Sequence, residues 1–173
     1  MDALKLLLNV LIFIAPSYVA NGTPVVASKV LTKLLGRLHP IDGGRYFIDG
    51  RRVLGDGKTV EGFISGVVVG TAAGLVLSAL SLHEPAKSFI LALGAMLGDL
   101  AGSFVKRRLG IGRGRPAPVL DQLAFLAASL ALYSAFWPPP SVREIAALVL
   151  LTIILHPATN ALAYLLGLKD NPW

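Results

Sequence analysis

Two aspartates and the basic turn between them are the residues of this chain best suited to chemistry. The stretch 98–122 reads GDLAGSFVKRRLGIGRGRPAPVLDQ. Asp99 lies inside one long apolar run and Asp121 at the start of the next. Lys106, Arg107, Arg108, Arg113 and Arg115 fill the turn. A charge in hydrocarbon costs at least about 2.5 kcal/mol, so an intramembrane acid is a functional candidate by default. Two acids flanking a basic turn have the layout of a site for a metal ion and a polyphosphate. At about 100° per residue, Asp99, Ser103 and Lys106 share one helix face. Asp121 stands about one turn into the following run, so the two carboxylates can converge at similar depth. Paired carboxylates with phosphate oxygens are ordinary Mg2+ ligands. The plainer alternative is that Asp99 simply pairs with Lys106 or an arginine.

A second candidate wall precedes another apolar run. Gly55-Asp56-Gly57-Lys58-Thr59 lacks the first glycine of a P-loop, because that position is Arg52. Its chemistry still suits phosphate: flexible glycines and a helix start expose N–H donors, and Lys58 adds a point charge. Glu61 falls in the first helical turn, where the dipole favours an acid. It serves as a cap or as a partner for Lys58. His156 and Asn160 share a face at i, i+4, and interhelical hydrogen bonds are their expected role, ahead of phosphate or lipid binding. His39 and His83 read as isolated loop residues.

The elements that must position these groups are membrane helices. Of 173 residues, 54% are hydrophobic, and the mean hydropathy is +0.69. Spanning helices need runs of about 20 apolar residues. Five are expected, at 3–20, 60–82, 86–105, 117–137 and 142–166. They fill most of the chain, so residues 1–173 read as one all-α polytopic membrane domain. The N-terminus makes a poor signal peptide: Asp2 offsets Lys5, and Tyr18 occupies the −3 position for cleavage after Ala20. The first run is therefore expected to be a retained helix. There is no cysteine, which excludes disulfides, iron–sulfur clusters and thiolate zinc sites.

Net charge is +6, and twelve of the sixteen Lys and Arg lie in two segments, 21–59 and 106–115. The positive-inside rule puts both in the cytoplasm, the N-terminus outside and the C-terminus inside. Basic loops also serve topology and headgroup contacts alone. Residues 21–40 are expected to form an interfacial amphipathic helix, capped by Thr23 and started by Pro24, with Lys29, Lys33 and Arg37 on its polar face. Asp42-Gly43, Asp49-Gly50 and Asp56-Gly57 are turn signals; 46–48 and 52–54 could pair as a small hairpin. Glycines recur every four residues at 62, 66, 70 and 74, and again at 94, 98 and 102. Small residues at this spacing let membrane helices approach closely, and the second and third helices are expected to pack as a rigid hairpin.

Three ordered segments carry a resemblance. KTVEGFISG at 58–66 is similar to the Lys-Thr-x-Glu-Gly-x-x-x-Gly segment of the CDP-diglyceride synthetase family. GDLAGSFVKRR at 98–108 resembles its Gly-Asp-Leu-x-x-Ser-x-x-Lys-Arg signature, and Asp121-Gln122 stands where that signature ends in Asp-Arg. Arg113-Gly114 replaces the family's Lys-Asp pair, and Ala117-Pro118-Val119 its His-Gly-Gly. The short length, NGTP at 21–24, HPIDGGRYFIDGRRVLGDGKT and the closing LGLKDNPW make the chain similar to the archaeal branch. That resemblance implies transfer of CMP from CTP to an unsaturated archaeal diether lipid phosphate, with release of pyrophosphate and use of Mg2+. It implies that Asp99 and Asp121 ligate the metal and that Lys58, Thr59, Ser103, Lys106 and Arg107 contact the phosphates or support the site. Arg113 is the candidate substitute for the lost pair.

Such a reaction suits the residues present. A phosphate monoester is largely dianionic near neutral pH, so the nucleophile needs no general base. Charge neutralisation and in-line positioning must be supplied. Lys106 joins the two aspartates as the expected catalytic group; Asn21, Gly57, Lys58, Thr59, Ser103, Arg107 and Arg113 are expected at the nucleotide. The expected partners are CTP, a lipid phosphate and the cell membrane, with the site facing the cytoplasm and no nucleic acid involved. A CTP-dependent polyprenol-type lipid kinase is the alternative within enzymes, and a small anion transporter the alternative outside them.

Overall fold

The computed structural model describes residues 2–169, 171 and 172; Asp170 and Trp173 of the closing LGLKDNPW lie outside the described residues. Five helices follow one another: α1 (Ala3–Leu35), α2 (Val60–Ala79), α3 (Pro85–Arg108), α4 (Pro118–Ser134) and α5 (Val142–Leu165). Among the described residues there is no strand, only two isolated bridges, Pro40 with Thr59 and Tyr46 with Arg52. The all-helical expectation therefore holds. Four helices are long and apolar enough to cross a membrane, and the fourth in order, Pro118–Ser134, is a shorter apolar helix.

The first helix differs from the expectation. A spanning run and a separate amphipathic helix were expected; α1 is one helix of 33 residues with Pro16 and Pro24 inside it. Thr23 caps nothing: its hydroxyl donates to the Val19 carbonyl one turn back, at 2.7 Å. Pro24 removes the N–H that would have bonded to the Ala20 carbonyl. That carbonyl instead lies against Gly66 of α2, where a Cβ would stand 2.9 Å from it. Packing on α2 carries the helix through a sequence that local propensity would break. It ends at Gly36, whose φ of 76° returns an N–H to Thr32.

The α2 glycine stripe packs on α3 as expected, with Gly66, Gly70 and Gly74 against Met96, Ala92 and Ser88, but it also takes α1, and the α3 stripe turns to α4. A Cβ on Gly70 would lie 2.7 Å from both the Pro16 carbonyl and the Ala20 side chain of α1, and 3.0 Å from Ala92 of α3. A Cβ on Gly94 would meet Ser129 of α4 at 2.7 Å, and one on Gly98 would meet Phe125 at the same distance. The α2 stripe is thus wedged between α1 and α3, while the α3 stripe faces α4. The core that results holds Ile14, Leu91, Met96, Leu126 and Leu148. Ser17 of α1 and Ser129 of α4 both donate to the Leu91 carbonyl at 3.0 Å, pinning α1 and α4 to α3. The Tyr18 hydroxyl and Thr152, 2.7 Å apart, join α1 to α5. Buried hydroxyls satisfied across helices are ordinary membrane-helix adhesion. The outer faces of α2 and α5 expose Val68, Val76, Leu150 and Ile154, as lipid-facing surfaces do.

Residues 36–59 form a compact corner. The hairpin is a single bridge turned by Asp49-Gly50, with Phe47 N–H on the Arg51 carbonyl at 2.7 Å. Asp42 and Asp49 do the turn chemistry expected, accepting from Gly44 N–H and Arg51 N–H. Each does more. Asp42 also takes Arg52 and the N–H groups of Leu54 and Gly55. Asp49 holds Arg108 at 2.6 Å, and that guanidinium lies over Phe47 and Phe104, 4.5 and 5.0 Å from their centroids.

Candidate functional site

The corner delivers Lys58 to the mouth of α3. Ile41 N–H bonds the Lys58 carbonyl and Lys58 N–H bonds the Gly55 carbonyl. Gly55 N–H goes to Asp42, and Thr59 accepts from Gly62 N–H as the N-cap of α2. The N–H groups of Gly55 and Lys58 are thus consumed within the loop, and the Lys58 side chain is what the segment sends to α3. The ammonium grips both oxygens of Asp99, at 2.7 and 2.6 Å. Glu61 does not pair with Lys58. It takes His39, by side chain at 2.6 Å and backbone N–H at 3.0 Å. His39 is therefore a tie between loop and helix, not an isolated residue. His83 is likewise tied in, to Phe13 and Ser88 at the far end of the bundle.

Asp121 is gripped in the same way. Lys106 reaches both its oxygens, at 2.8 and 3.0 Å, and the Arg115 carbonyl at 2.9 Å. Asp121 also accepts from Ala117 N–H at 2.8 Å, which fixes it to the start of α4. The face shared by Asp99, Ser103 and Lys106 exists, but Lys106 crosses to the other aspartate. Helix α3 runs three residues beyond its expected end, to Arg108, and so carries Lys106 out toward α4.

The two clasped carboxylates lie on one cavity of about 190 Å³. Asn21, Gly57, Lys58, Ser103, Lys106, Arg107 and Arg113 line it with them. Thr59 does not; it lines an adjoining groove of about 1040 Å³ that shares Asp99, Lys106, Arg113 and Asp121 with the cavity and extends between α1 and α5. Gly57 lies against the Arg113 side chain, where a Cβ would stand 3.6 Å from Nε, so the two basic segments meet here. The Nε of Arg107 is buried with no hydrogen-bond partner among the described residues, a donor without an acceptor on the cavity wall.

No group of three or more His, Asp or Glu gathers among the described residues. A Mg2+ ion asks for less: one or two carboxylates, with substrate phosphates completing its shell. Both aspartates already hold a cationic group through two oxygens, so the donor set fits such an ion.

Three residues of the groove escaped the sequence reading in their present roles. His156 of α5 stacks on Phe125 of α4, 6.2 Å between centroids. Asn160 accepts from Lys169 at 3.0 Å. Burial pushes the Lys169 ammonium down from its ordinary pKa; Asp121 opposes that, and Lys106 and Lys58 add to it. A lone lysine after an apolar run was the signal, with nothing in its spacing to say where it folds back.

The chain as a whole is similar to known proteins. The family model CarS-like: CDP-archaeol synthase matches residues 3–173. The CDP-archaeol synthase of Thermofilum pendens is 48% identical, covering 94% of this chain and 79% of that protein. The one from Aeropyrum pernix is 49% identical, covering 96% and 92%. A solved structure described as an intramembrane enzyme for archaeal membrane lipids biosynthesis superposes with a TM-score of 0.77 and 45% identity, over 87% of this chain and 91% of that one.

Proposed function

We propose a function from one premise: the chain belongs to the CDP-archaeol synthase family. It is a multi-pass membrane cytidylyltransferase. It transfers CMP from CTP to an unsaturated archaeal diether glycerol phosphate, giving the CDP-activated lipid and pyrophosphate. The family match favours this reading over the lipid kinase and the anion transporter.

The observation that carries the site assignment is the pair of lysine-clasped carboxylates, Lys58–Asp99 and Lys106–Asp121, on one cavity wall. Asp99 and Asp121 would hold Mg2+ together with phosphate oxygens of CTP. When bound there, the ion supplies Lewis-acid polarisation of the phosphoryl oxygens. Freed from the carboxylates, the ammonium groups of Lys58 and Lys106 turn to the phosphates. Arg107 offers its unpartnered Nε, Arg113 closes the cavity from the second basic segment, and Ser103 adds a hydroxyl. Gly57 lets the backbone come close, Thr59 fixes the start of α2 beneath Lys58, and Asn21 faces the base. An oxygen of the acceptor phosphate forms a bond to the α-phosphorus. The bond from that phosphorus to the bridging oxygen breaks, and pyrophosphate leaves with the electron pair. No side chain has to remove a proton.

Residues 1–173 act as one domain with all five helices spanning. The N-terminus is outside, and both basic segments face the cytoplasm, from which CTP arrives. The charge distribution supports this orientation, as does the position of Lys169 on the groove beside Lys58 and Lys106. The test is product analysis with the purified chain in detergent, labelled CTP, Mg2+ and diether or diacyl glycerol phosphates. CDP-lipid and pyrophosphate are expected. Lipid phosphate and CDP formed from an unphosphorylated lipid would identify a kinase instead.

A further inference from the structure

The cavity and the groove are two chambers with a common wall. Lys58, Asp99, Lys106, Arg113 and Asp121 line both, with Asn21 and the 57 and 114 glycines. Arg107 and Ser103 line the smaller chamber alone; His156, Asn160 and Lys169 line the larger alone. In-line displacement needs the attacking oxygen on one side of the phosphorus and the leaving group on the other. With the triphosphate in the small chamber, the attacking phosphate must come from the groove.

Pro24, Val25, Leu38 and Leu168 line the groove beside its polar groups, an apolar surface for the hydrocarbon chains of the acceptor. Within it, His156, Asn160 and Lys169 bring the donors a phosphate dianion requires: an ammonium point charge with neutral N–H groups around it. Asn160 turns its Oδ1 to Lys169, so its amide nitrogen is a donor for another oxygen. The ring of His156 is set by stacking on Phe125, and Phe125 itself lines the small chamber.

Resting on the cytidylyltransferase reading, we propose that His156, Asn160 and Lys169 form the binding subsite for the phosphate of the acceptor lipid. Burial of Lys169 and its electrostatic coupling to Asp121, Lys106 and Lys58 agree with a cation placed beside the reaction centre. The subsite binds the acceptor before transfer and orients its oxygen toward the shared wall. It takes no part in holding CTP.

The test is steady-state kinetics of the full chain in detergent with CTP, Mg2+ and the unsaturated diether glycerol phosphate. Lys169→Ala is expected to raise the KM for the lipid phosphate about tenfold or more, with the KM for CTP and the thermal stabilisation by Mg2+ and CTP unchanged. Lys169→Arg is expected to restore most of the lipid affinity. Asn160→Asp, which sets a negative charge against the incoming dianion, is expected to raise the lipid KM alone. An increase in the KM for CTP, or weaker inhibition by pyrophosphate at unchanged lipid KM, would assign Lys169 to the nucleotide and overturn the proposal. So would an unchanged lipid KM. If Lys169→Ala does not fold, Lys169→Gln and Asn160→Asp give the same split. A wild-type chain that makes no CDP-lipid would fail the underlying reading instead.

Discussion

Two kinds of ion pair stand within a few turns of each other, and they are built differently. The corner's own carboxylates, Asp42 and Asp49, take arginines. Asp42 has a side chain only 1% exposed and accepts from Arg52, Gly44, Leu54 and Gly55. Although burial pushes its carboxyl up, the Arg52 pair and the three N–H groups hold it well below the usual carboxylate range. Arg108 pairs with Asp49 and lies over the edge-on pair of Phe47 and Phe104. In the site the cations are lysines, and the carboxylates of Asp99 and Asp121 remain 26% and 31% exposed on an open cavity. A guanidinium locks geometry through several fixed donors, whereas an ammonium is a mobile point charge on a flexible stem. Pairs of the first kind hold shape; those of the second kind can be exchanged for a metal and a phosphate.

The sharpest way to break that contrast is to neutralise a site carboxylate. Asp99→Asn or Asp121→Asn is expected to lower kcat about a thousandfold, ~4 kcal/mol of transition-state stabilisation, while the melting temperature in detergent hardly moves. Near-normal turnover in either variant would remove it from the metal site. Next comes the opposite corner: Asp42→Ala leaves Arg52 and three backbone donors without their acceptor. A loss of about 3 kcal/mol is expected, read as a fall in melting temperature. An unchanged melting curve would deny the corner its structural role.

Exchanging cation types tests the distinction itself. Lys58→Arg gives Asp99 a fork to hold instead of a point charge. The Mg2+ concentration for half-maximal activity is expected to rise about tenfold, and an unchanged metal requirement would show that the two cations are interchangeable there. The smallest effect is one of pH. The unfolded carboxyl of Asp42 titrates near about 3.9, and its folded pKa lies lower. Its stabilisation is therefore complete above about pH 4 and fades as pH falls toward the folded value. Thermal melts from pH 6 to 3 are expected to show the gap between wild type and Asp42→Asn narrowing at the acid end; a constant gap would contradict the linkage.

The sequence made the helices legible wherever apolar runs were long and bounded by charge or Pro and Gly. It made the site legible where chemistry clustered locally, as at Asp99, Ser103 and Lys106. The wheel put Asp99, Ser103 and Lys106 on one face, and all three line the cavity; it records angle and not rise, so it did not show that seven residues carry the Lys106 ammonium about 10 Å along the axis from Asp99, to Asp121. The Lys58–Asp99 clasp joins residues 41 apart in sequence, a distance no periodicity addresses. NGTP at 21–24 read as a helix start because Thr and Pro favour one. Contact with Gly66 and Gly70 of α2 overrode that preference, and the second glycine stripe likewise took the partner that tertiary packing offered. Lys169 is visible only as a charge near the end of the chain; its place beside Asn160 depends on the return of the segment after α5.

The unbroken α1 makes the protein a gauge of bilayer thickness. Its 33 residues measure about 50 Å, some 20 Å more than the hydrocarbon layer it crosses. Asn21 and Lys29, both on the groove, ride on this one helical rod. In the proposed orientation, the height of the reaction centre above the acyl boundary is set by where that rod is gripped by lipid, and mismatch shifts it at modest cost. Turnover would then depend on the chain length of the surrounding membrane even when the lipid being activated is held constant.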